Sequence, residues 1–104
     1  MSHPTQLLAM IDRVLVGEWD FDMFARTFYA FYVDEVPADA AMTDDEWEYF
    51  GFVQERLDYV AETPSPEDRK HGWHTPAEYL EWLQVVRPTF PRMSRDLARL
   101  PVQG

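Results

Sequence analysis

Leu7, Leu8, Ile11, Val14 and Leu15 recur at the three- and four-residue spacing of a single helix face. Pro4 suits a first helical turn behind Ser2 or His3, because its missing amide would find no helical partner there in any case. Gly17 supplies a C-terminal stop. The pattern predicts a first helix over about residues 5–16. Asp20 can cap a second, on which Phe21, Phe24, Phe28, Phe31 and Tyr32 form one apolar stripe until Pro37 ends it. An aromatic stripe of this period reads as a core face rather than a cofactor site.

The third helix has the clearest start in the chain. Thr43-Asp44-Asp45-Glu46 matches the capping box, in which the Thr hydroxyl accepts the N3 amide and the Glu carboxylate accepts the cap amide. This helix is expected to run to about Glu62, where Thr63-Pro64-Ser65-Pro66 breaks it. A polar loop over residues 64–73 follows, and Thr75-Pro76-Ala77-Glu78 then opens a fourth helix bearing Tyr79, Leu80, Trp82, Leu83 and Val86. After Pro88 and Pro91, a short last helix carrying Met93, Leu97 and Leu100 is expected to pack onto the body. Short connections make sequential helices antiparallel neighbours, so the expected fold is all-α: an antiparallel four-helix bundle with a short C-terminal helical extension. It forms a single domain over residues 1–104, with the bundle core at about 5–87 and a basic extension at 88–104.

Composition supports one compact core. The chain has 104 residues, of which 46% are hydrophobic and 15% aromatic, enough apolar surface to order it despite its charge. The absence of cysteine excludes disulfides, thiolate zinc sites and a cysteine nucleophile. No apolar run is long enough to span a bilayer, and His3, Pro4, Asp12 and Arg13 leave no room for a secretory signal; a cytoplasmic protein is expected.

Charge changes the picture most. The net charge is −10, which excludes a basic nucleic-acid footprint and disfavours an anionic membrane as partner. Over residues 12–81 eighteen acids face five bases, whereas residues 82–104 hold four Arg and one Asp. Residues 34–62 alone hold ten acids and one base, Arg56.

Projected at about 100° per residue, Asp44, Glu48, Glu55, Asp58 and Glu62 fall on one face of the expected third helix. Tyr49, Phe50, Val53, Leu57 and Val60 lie opposite, with Trp47 flanking the acids on one side and Phe52 and Tyr59 on the other. The plain reading is a solvated face. An ordinary solvated face mixes signs, however, because like charges at i, i+3 or i, i+4 destabilise a helix. Carboxylates kept together beside aromatics are what a surface for a cationic partner requires.

These residues, with Leu15-Val16-Gly17-Glu18, Phe24, Phe28, Leu57-Asp58-Tyr59 and the Pro64-Ser65-Pro66-Glu67 loop, resemble the colicin D immunity protein family over roughly residues 7–87. The resemblance implies a four-helix antiparallel bundle that binds a tRNA-cleaving toxin and covers its basic substrate site by charge mimicry. It also implies that Asp58, Glu67 and Asp68 lie in the acidic contact region. The chain departs from the family's pattern in the His-rich loop at residues 69–74 and in the Arg-bearing tail after Pro88.

The expected partner is therefore a cognate basic nuclease domain, met by a monomer or weak dimer, with no direct nucleic acid, no membrane and no cofactor. The expected contact residues are Asp44, Trp47, Glu48, Phe52, Glu55, Asp58, Tyr59, Glu62, Glu67 and Asp68. An acidic nucleic-acid-mimic regulator, or a helical adapter for another basic protein, would use the same face. Enzymatic chemistry is not expected: there is no phosphate-cradling Gly-rich loop or nucleophile elbow, and a solvent-facing carboxylate row is poorly placed to split pKa values. His71 and His74 lack the helical spacing of zinc motifs, so no metal is expected. Arg87, Arg92, Arg95 and Arg99 are expected to fold back onto the acidic body.

Overall fold

The computed structural model describes residues 2–99. It is all-α, with no strand among the described residues. The helices are α1 (His3–Leu15), α2 (Phe21–Ala30), α3 (Asp44–Leu57), α4 (Pro66–Lys70), α5 (Pro76–Val86) and α6 (Arg95–Ala98). A π-helical turn, Phe31–Glu35, extends α2, and a 3₁₀ turn, Arg87–Thr89, extends α5. Each α-helix opens on a side chain that accepts an otherwise orphaned amide: Ser2, Asp20, Thr43, Ser65, Thr75 and Ser94. Both expected capping boxes form, at Thr43/Glu46 and Thr75/Glu78. Gly17, at φ 84°, turns the chain after α1 through a conformation that costs other residues a steric penalty.

The four long helices meet in a ring, α1 on α2, α2 on α3, α3 on α5 and α5 on α1. Leu7, Ile11, Phe24, Phe28, Tyr49, Phe50, Val53, Tyr79, Leu83 and Val86 fill its centre and are fully buried. Two buried phenols fasten α3 to α5: Tyr49 donates to the Val86 carbonyl at 2.8 Å, and Tyr79 to the Val53 carbonyl at 2.9 Å. Each O–H thus has the partner that burial demands.

Three local expectations change. First, α3 stops at Leu57 instead of Glu62. Beyond Asp58 the chain pairs with the segment before α5, the His74 amide donating to the Tyr59 carbonyl and the Ala61 amide to the His74 carbonyl, both at 2.9 Å. A longer helix would have stacked Glu55, Asp58 and Glu62 on one another at the negative end of the helix dipole. Second, the loop over 64–73 contains α4, because Ser65 and Asp68 form a third capping box with Pro66 at the first helical position. Third, the final turn of α2 widens, the Val36 amide reaching the Phe31 carbonyl at 3.0 Å before Pro37 ends the run.

The C-terminal segment folds back. Met93 is buried, and Trp82 donates its indole N–H to the Leu97 carbonyl at 2.8 Å. Arg87 holds Asp12 through two bonds of 2.8 and 3.2 Å, and Arg92 lies 3.8 Å from Asp45. Leu100, expected on the last helix, lies outside the described residues.

Candidate functional site

The capping box at Thr43 sets the register of α3, placing Glu48, Phe52 and Glu55 along one edge. That edge forms one wall of a cleft of about 840 Å³. Tyr59, just past the helix, also lines the cleft, as do Arg69, His71, Gly72, Trp73 and His74, with Arg95 and Ala98 of α6 and Arg99 just after it. Tyr59 and Trp73 meet edge to face at 5.8 Å.

Three arrangements brace this cleft. Glu78 is buried at 5% exposure and accepts from Arg69 at 2.6 and 2.8 Å and from the Thr75 amide at 2.9 Å. The Arg69 hydrogen bonds, then the Thr75 amide, hold its carboxyl below the usual carboxylate range. His74 is also buried at 5% exposure, its ring stacked on Tyr79 at 6.0 Å and 7°. Its Nδ1 lies 3.0 Å from the Gly72 carbonyl, which can only accept, so Nδ1 carries the proton and Nε2 the lone pair. Burial pushes the imidazole below its ordinary value, and the ring is neutral at pH 7. The Arg56 guanidinium sits 4.6 Å over the Trp82 ring and donates to the Ala98 carbonyl at 3.0 Å, joining α3 to α6.

The expected contact residues divide. Glu48, Phe52, Glu55 and Tyr59 come together in the cleft. Asp44 is exposed one turn before it, while Trp47 is partly buried with its ring edge-to-face on Tyr32 at 6.1 Å, which makes it a packing residue more than a free anchor. Asp58 caps α3 and lines a separate shallow depression of about 370 Å³ with Ala25, Arg26 and Tyr29. Glu62 lies beyond the helix altogether, so the five carboxylates do not form one row. Glu67 faces His71 at 3.4 Å and Lys70 at 4.0 Å, and the Asp68 carboxylate accepts the Ser65 amide at 3.0 Å.

Sequence reasoning did not bring Arg69, Trp73, His74, Arg95 or Arg99 to this site. Arg69, Trp73 and His74 come from the His-rich loop and Arg95 and Arg99 from the Arg-bearing tail, and both segments line the same cleft. No cluster of three or more metal-ligating side chains occurs among the described residues. Chemically, the cleft offers aromatic walls and charges of both signs.

No protein-family model, curated protein or solved structure matches the chain.

Proposed function

We propose that this chain is an immunity-type inhibitor that binds a basic, tRNA-cleaving nuclease toxin and covers its substrate site with the acidic face of α3. One observation carries the reading. Asp44, Glu48 and Glu55 stand exposed along α3, and none of them enters an ion pair among the described residues. Unpaired carboxylates on a protein of net charge −10 steer a cationic partner toward that face and meet its Lys and Arg in place of phosphates. Phe52 and Tyr59, beside them, supply apolar contact that slows dissociation. In this reading the ring of four helices is an antiparallel bundle, the inhibitor performs no chemistry of its own, and it acts in the cytoplasm on a toxin that has entered there. Asp58, Glu62 and Glu67 form the periphery of the contact.

Co-expression with the product of the adjacent gene tests this. Growth rescue is expected, with affinity falling as salt is raised. Reversing Asp44, Glu48 and Glu55 to Lys abolishes rescue while far-UV circular dichroism stays unchanged. Retained rescue by the triple variant would overturn the acidic-face reading, and a neighbour that binds the chain but has no nuclease activity would favour an adapter.

A further inference from the structure

The cleft beside α3 has a charge arrangement that the inhibitor reading does not use. Glu48 and Glu55 stand on its α3 side and Arg95 and Arg99 on its α6 side, yet no ion pair joins them across it. The rings of Phe52, Tyr59 and Trp73 line the same cleft. A volume of about 840 Å³ is that of a small-molecule site. Arg69 is neutralised by Glu78, and Arg56, held over Trp82 and bonded to the Ala98 carbonyl, adds its positive charge to the α6 side.

An anion alone would be attracted by Arg95 and Arg99 and repelled by Glu48 and Glu55; a cation alone would meet the reverse. A molecule carrying both charges satisfies both walls, and a flat apolar body between them covers the aromatic rings. We infer that the cleft binds a zwitterionic aromatic small molecule of the free aromatic amino acid class. Its ammonium faces Glu48 and Glu55, its carboxylate faces Arg95 and Arg99, and its ring lies among Phe52, Tyr59 and Trp73. The Gly72–His74 hydrogen bond and the His74–Tyr79 stack hold the adjoining wall in place before binding, so little ordering is required of the protein. The inference does not rest on the inhibitor reading.

The test uses the purified chain alone, titrated by NMR with L-tryptophan, tryptamine and indole-3-acetate. L-tryptophan is expected to bind saturably, with Kd on the order of 0.1–1 mM, and each analogue lacking one charge about fivefold more weakly. Arg95→Ala with Arg99→Ala, both exposed positions, should weaken L-tryptophan about fivefold and strengthen tryptamine by relieving its repulsion. Glu48→Gln with Glu55→Gln should weaken L-tryptophan and strengthen indole-3-acetate. Shifts that do not saturate below about 10 mM, equal binding of all three compounds, or variants that weaken none of them would overturn the proposal. Because no nuclease is present, failure here leaves the inhibitor reading untouched.

Discussion

His74 shows how one side chain ties local structure to stability. Its ring packs flat on Tyr79, its Nδ1 proton is held by the Gly72 carbonyl, and its backbone joins the segment after α3 to the start of α5. Burial lowers its folded pKa below the ordinary 6.5, so between those two values the unfolded chain binds more protons than the folded one. Its contribution is complete above pH 6.5 and is lost as pH falls through that window. Glu78 is also lowered, but its contribution is present above the ordinary value of 4.5 and is lost only at lower pH, as pH falls through its folded value. Urea unfolding between pH 7.5 and 5.5 should therefore show the midpoint dropping with acidification. In His74→Phe, which keeps the aromatic packing and leaves the exposed Gly72 carbonyl to water, the drop should be much smaller. An equal drop in the variant would assign the pH dependence to another group.

At the scale of elements, starts were more legible than ends. Asp20, Thr43 and Thr75 declare their helices because a cap is a local chemical event, settled by residues three apart. The phenylalanines of α2 and the Tyr49-Phe50-Val53 face were readable for a similar reason, since a 3.6-residue period survives any tertiary context. The end of α3 was not readable in this way: the partners that draw the chain off the helix axis lie at His74, more than a dozen residues on. The repulsion among Glu55, Asp58 and Glu62 was visible, and it marks the helix terminus rather than an extended recognition row. Phe52 could be placed on the flank of the face bearing Glu55 from sequence; Arg95 and Arg99 in the same cleft could not, because only the tertiary fold brings α6 there. Amide hydrogen exchange separates the two versions of α3. The Ala61 and His74 amides, bonded across the bridge, should exchange slowly and the Glu62 amide fast. A helix continuing to Glu62 would instead protect the Glu62 amide through the Asp58 carbonyl.

Across the whole molecule, the basic tail packs onto the acidic body. The radius of gyration is 13.4 Å, and the tail contributes to the core rather than decorating it. Met93 is 4% exposed, Trp82 is bonded to the Leu97 carbonyl, and Arg56 reaches from α3 to the Ala98 carbonyl. Deleting residues 89–104 removes three Arg and one Asp, taking the net charge from −10 to −12, and it uncovers the α6 side of the cleft. Two opposing effects follow. The more negative surface should speed association with a basic partner at low salt. Loss of the Met93 side chain and of the Trp82 and Arg56 hydrogen bonds should cost about 2–5 kcal/mol, which lowers the thermal midpoint by roughly 10 °C or more. The single change Met93→Ala removes one part of that packing and should account for at most about half of the loss, since Phe90 also packs on Tyr49 and Phe50 at 5.1 and 5.5 Å. A tail held only by its surface ion pair, Arg92–Asp45, would contribute at most about 1 kcal/mol. It would release with salt, whereas the docking through Met93 and Leu97 should persist in 0.5 M NaCl. Thermal melts of the intact and truncated chains at low and high salt distinguish these cases: a difference that survives salt identifies the tail as part of the core, and one that vanishes identifies it as an electrostatic strap.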